Sequence, residues 1–94
     1  MDNRGYYRLC AGIIERAVDD YITSLRYLMH KKIVDNNWNL KEKHFKNRHH
    51  RTAWNMKMDC ERFFFSHYFD YLSDTEDFGP TLVNRIREDV KNGN

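Results

Sequence analysis

The sequence predicts an all-α fold, a small helical bundle of three main helices with room for a fourth, short helix in the 40–48 region. Three observations predict it. Apolar residues recur at steps of three and four over long stretches, the spacing that gathers side chains on one face of a 3.6-residue turn. Four glycines and one proline are few, while charged residues make up 32% of the chain, which suits helices better than hairpins. No internal repeat and no convincing strand interrupts the pattern. Ninety-four residues make one domain, 1–94, with a modest core.

The first helix is expected from Tyr6 to Lys31. Tyr6, Cys10, Ile13, Ile14, Ala17, Val18, Tyr21, Ile22, Leu25, Leu28 and Met29 form its apolar side. Asn3 is placed to cap its start, and His30, Lys31 and Lys32 suit the negative end of its dipole. At ~1.5 Å per residue the rod is roughly 35–40 Å long, more than a domain of this size needs, so one end should project. Asp35-Asn36-Asn37 is turn chemistry, and Trp38 reads as a plug over the helix pair. A highly charged short helix is expected from Leu40 to Arg48. A second long helix should begin near Thr52 or Ala53 and continue through Phe65 or beyond. Trp54, Met58, Phe65, Tyr68 or Phe69, and Leu72 mark one of its stripes, and Met56, Cys60 and Phe63 another. Ser66 is a candidate kink, because its hydroxyl competes for backbone hydrogen bonds. Gly79 and Pro80 fit the cap and first turn of a last helix with Leu82, Val83, Ile86 and Val90 inside and Arg85, Arg87 and Glu88 outside.

Charge is distributed unevenly. Residues 1–29 are neutral, residues 30–57 carry eight cationic and two acidic side chains (net +6), and residues 58–94 carry four and eight (net −4). The stretch KEKHFKNRHHRTAW, 41–54, holds Lys41, Lys43, Lys46, Arg48 and Arg51 within a basic connector of about 33–51. Those five cations can neutralise phosphates, and Phe45 and Trp54 can stack on exposed bases. If 41–48 is helical, Lys41, His44, Arg48 and Arg51 share a face suited to a groove or backbone. The plain alternative is a solvated linker. The acids Asp70, Asp74, Glu76 and Asp77 cluster at a turn, ready to meet a cationic partner as a phosphate mimic would, or simply solvated. Three successive phenylalanines sweep about 200° of a helix surface, so either this helix is central with layers on both sides, or one face, with Phe63, Phe64 and Tyr68 as its aromatics, meets a partner or a second copy in a homodimer.

Other chemistry finds less support. His44, His49, His50 and Cys60 lack zinc-site spacing, since adjacent histidines point apart on a helix; neither a metal nor another cofactor is expected. Ser66-His67 is not an oriented nucleophile–base pair, and no enzymatic activity is expected. Residues 66–91 have roughly a helix-turn-helix rhythm. Their turn is long, however, and only Asn84, Arg85 and Arg87 are available to base edges, in acidic surroundings. Cys10 and Cys60 read as reduced, buried thiols. LCAGII is too short to span a bilayer and lacks a signal-peptide shape, so a soluble, cytosolic protein is expected.

The C-terminal stretch DCERFFFSHYFDYLSDTEDFGPTLVNRIRED resembles small helical proteins encoded by bacteriophages and integrated elements of Gram-positive bacteria. The likeness covers roughly residues 57–90 and lies in aromatic placement. It carries no catalytic residue across. It implies a phage or mobile-element accessory protein, a kind that often binds a host protein, including defence nucleases, as anti-CRISPR proteins do. The expected function is therefore non-enzymatic: binding and inhibiting or modulating a host nucleic-acid-handling protein. The alternatives are a small DNA- or RNA-binding regulator using 41–51, and a structural homo-oligomer.

Overall fold

Tyr21, Leu25 and Leu28 follow one another at steps of four and three and are fully buried, and the molecule is built around that stripe. The computed structural model describes residues 3–75 and 77–93, with side chains from residue 11 onward. Four helices follow in order: α1 (Asn3–His30), α2 (Arg48–Phe64), α3 (His67–Ser73) and α4 (Phe78–Lys91). The described residues contain no strand, only an isolated antiparallel bridge between Val34 and Leu40. The all-α class and the count of three main helices plus a short one hold. Asn3, Tyr6, Cys10 and Glu76 carry expectations that lie outside the described side chains.

α1 and α2 are antiparallel. Tyr27 meets His50 near one end, Tyr21 meets Phe64 further along at 5.6 Å between ring centroids, and Ala17 shares a groove with Cys60 and Phe63. α4 runs back along α2, since its second residue touches Phe64 and its Arg87 reaches Glu61. Twenty-eight residues make α1 about 42 Å long. The molecule is correspondingly elongated, 51 × 24 × 23 Å.

The short helix falls at 67–73 and not in the 40–48 region, where the chain bends without helical turns. The reason lies in two serine- and asparagine-type caps. Asn47 is extended and its side chain accepts from the His50 N–H at 3.0 Å, so α2 starts at Arg48, ahead of the expected Thr52. Ser66 donates to the Phe63 carbonyl at 2.6 Å and accepts from the Phe69 N–H at 3.2 Å. It therefore ends α2 at Phe64 and opens α3, a full break where the sequence suggested a kink. α3 turns Phe69 inward to complete an aromatic knot with Phe63, Phe64 and Phe78.

The connector is held by its own backbone. Lys32 and Trp38 adopt left-handed conformations (φ 57° and 66°), uncommon for such residues. The Asp35 carboxylate accepts from the N–H groups of Asn37 and Asn39 at 2.8 and 3.0 Å, and the Lys41 N–H donates to the Ile33 carbonyl. These bonds fold 33–41 into a closed turn, with Val34 and Trp38 buried beneath it as the expected plug. Gly79 acts differently from expectation. α4 begins at Phe78 after Asp77, which is left-handed and makes no side-chain cap bond. Gly79 is buried one step inside, where a Cβ would lie 1.7 Å from the Phe64 carbonyl oxygen.

Candidate nucleic-acid interface

The face of α2 that enters the core is Lys57, Cys60, Glu61 and Phe64, spaced three, one and three apart. Two of those four are charged, and the sequence reading assigned neither to the interior. The Lys57 ammonium lies 3.1 Å from both Glu61 carboxylate oxygens. Tyr21 donates its hydroxyl proton to Glu61 Oε2 at 2.6 Å, and Arg87 donates to the same oxygen at 2.6 Å and to the Tyr21 oxygen at 3.0 Å. The network ties α1, α2 and α4 together. Burial pushes the Glu61 carboxyl up, but hydrogen bonds from Tyr21 and Arg87 and the nearby Lys57 outweigh it and leave its pKa lowered. Burial lowers the Lys57 pKa despite Glu61, and burial pushes the Cys60 thiol up to about 11. Arg87, expected outside and counted among base-reading groups, is committed to this network, which removes it from a helix-turn-helix readout.

The five expected cations meet no such partner. Lys41, Lys43, Lys46, Arg48 and Arg51 are all exposed. Among the described residues the ion pairs are Lys57–Glu61, Arg62–Asp59 and Arg87–Glu61, and none involves those five. Their positions follow from the connector. The closed turn brings Lys41 back beside Lys31 and Lys32 at the end of α1, and the chain then carries Lys46 across the same end before α2 begins. Lys31, Lys32, Lys41, Lys46, His44 and His50 line a concavity of about 70 Å³ with Ile33, Leu40 and Phe45 as its apolar wall; Glu42 is the single acid there. Arg51 stands over the Phe45 ring at 5.9 Å. Because 41–47 is not helical, the expected shared helix face of Lys41, His44, Arg48 and Arg51 does not exist. The cations surround the end of the bundle instead.

The aromatics divide. Phe45 is half-buried under Arg51. Trp54, expected to stack on bases, is half-buried with Lys57 Nζ 4.5 Å over its ring, so one of its faces is taken. Phe64 is fully buried and drops out of the expected partner surface; its place on the α2 stripe with Cys60 and Lys57 put it inward. Phe63 is half-buried and Tyr68 is 55% exposed, with Phe65 at 54% beside it. Asp70 is half-buried, while Asp74 and Asp77 are exposed and left-handed in the α3–α4 turn. That turn lies where α2 ends and the basic connector lies where it begins. Seventeen residues of helix hold the two charged ends about 25 Å apart. This exceeds the ~10 Å screening length at 0.1 M salt, so the acids do not quench the cations.

Among the described residues no three His, Cys, Asp or Glu side chains converge as metal ligands. Among them, too, no helix is long and apolar enough to cross a membrane. No protein-family model matches the chain, and neither does a curated protein or a solved structure. Lys31 and Lys32 are the site residues that sequence reasoning missed. Their signal was present in Asp35-Asn36-Asn37, a turn tight enough to return the chain upon them. Lys57 and Glu61 form an opposite-charge i,i+4 pair, a spacing that by itself marks a solvated helix face as readily as a buried one.

Proposed function

We propose that the protein is a binding module that grips the phosphate backbone of nucleic acid through its basic end and acts by occupying that surface. One observation carries the reading. Lys41, Lys43, Lys46, Arg48 and Arg51 cluster at one end with no carboxylate partner among the described residues, while the fold neutralises its interior cations with Glu61. Surface cations without internal partners keep their full Coulomb attraction for phosphate and release counterions when they meet it. Charge reversal at Lys46, Arg48 and Arg51 is expected to abolish a gel shift of a short duplex while leaving the thermal transition within a few degrees. A retained shift in the triple variant would remove this reading.

A second reading is favoured by the opposite end. Asp74 and Asp77 stand exposed on the α3–α4 turn, an acidic surface that fits a cationic nucleic-acid channel of a host protein. It accords with the phage-type accessory role that the C-terminal resemblance implies, namely inhibition of a host nucleic-acid-handling machine. In that case a specific bacterial protein is captured in a nuclease-resistant complex that Asp74→Lys with Asp77→Lys disrupts.

A further inference from the structure

We infer that the concavity among Lys31, Lys32, Lys41, Lys46, His44 and His50 is a seat for one terminal phosphate group of a nucleic-acid strand. The inference rests on the backbone-binding reading and adds to it a specific occupant, a phosphomonoester at a strand end.

Size points to a single group. The hollow is small, about 70 Å³, with room for one phosphoryl group among the four lysines. An end group enters such a hollow with one substituent trailing out, whereas an internal phosphodiester must lead two chain segments away. Charge points the same way. A monoester carries about −1.5 to −2 near neutral pH, and four lysines with one acid around a small hollow repel each other until such a charge enters. α2 also starts here, and the positive end of its dipole adds to the field.

The seat is built and not merely crowded. Lys31 and Lys32 continue directly from α1, with backbone N–H groups bonded to the Tyr27 and Met29 carbonyls. Lys41 is fixed by its N–H to the Ile33 carbonyl, and the left-handed Lys32 starts the turn that brings the two sides together. The His50 ring packs edge-on against Tyr27 at 5.9 Å, which sets one wall. Phe45 belongs to the apolar wall and is half-buried, with Arg51 over its ring at 5.9 Å.

The test is fluorescence anisotropy with short single strands of one sequence, bearing a 5′-phosphate, a 3′-phosphate or no terminal phosphate. One phosphorylated strand is expected to bind about tenfold more tightly than the hydroxyl-ended strand, as charge-assisted hydrogen bonds to a terminal group would give. Millimolar inorganic phosphate should erase that preference. Lys32→Gln with Lys41→Gln should also erase it, whereas Arg48→Gln should weaken all three strands alike and leave the ratio. Equal binding of all three strands, still abolished by the Lys46, Arg48 and Arg51 reversals, overturns the terminal seat and leaves the backbone reading intact. No binding of any strand overturns both.

Discussion

Glu61→Leu is expected to destabilise the protein by about 3–5 kcal/mol, because it leaves a buried ammonium without its counter-charge. Lys57 is 3% exposed and faces Glu61 at 3.1 Å, so removal of the carboxylate strands it in the interior beside the Trp54 ring. Tyr21 loses its acceptor at the same time, although Arg87 still reaches the tyrosine oxygen. The double variant Lys57→Met with Glu61→Leu removes both charges and should recover most of the loss, since a well-packed apolar pair of similar volume often matches a buried ion pair. With Lys57→Met added, chemical denaturation of the four proteins completes the cycle, and a double variant no better than Glu61→Leu would show that the network does not act as described. The pH dependence has a definite sign. The folded Glu61 pKa lies below the unfolded value of about 4.3, so its contribution is fully present above that value and drains as pH falls through the folded one. The Leu variant should lose less stability on acidification than the parent.

Gly79→Ala should cost about 3 kcal/mol or more, an effect usually reserved for large core changes. A Cβ there lies 1.7 Å from the Phe64 carbonyl oxygen and 2.8 Å from its carbon. Both are backbone atoms at the end of α2, and neither can rotate away as a side-chain tip would. α4 must therefore shift off α2, opening Val83 and Ile86 to solvent and loosening Arg87 from Glu61. For a chain of this size the melting temperature should fall by more than about 12 °C. Gly12→Ala is the internal control. Its Cβ meets nothing within 4 Å in the middle of α1, so the same exchange should stabilise by about 0.5–1 kcal/mol. Similar melting temperatures for the two alanine variants would contradict the close approach of α4 to Phe64.

The helices were legible because their signal is periodic. Tyr21, Leu25 and Leu28 sit on the stripe expected of them, and Val83, Ile86 and Val90 form the inner side of α4 as the sequence suggested. The inner side of α2 was not legible, because a lysine and a glutamate default to solvent and only three-dimensional pairing with Tyr21 and Arg87 reverses that. Phe64 was misread for the same reason: its stripe runs through Lys57 and Glu61 and looks polar in the sequence. Gly79 looked like a cap because Gly and Pro punctuate helices, yet its need for space comes from a carbonyl fifteen positions earlier in the chain. The five cations of the connector were legible as charge. Their arrangement was not, since it depends on left-handed Lys32 and Trp38 and on backbone bonds that no periodicity encodes.

The central claim is that the five connector cations, without ion-pair partners among the described residues, are available to phosphate. The most direct test is the affinity of the wild-type protein for a short DNA duplex between 50 and 200 mM salt. If four of the five cations engage phosphates, log Kobs should fall against log salt with a slope of about −3.6. A salt-independent affinity, or no binding at 50 mM salt, would contradict it.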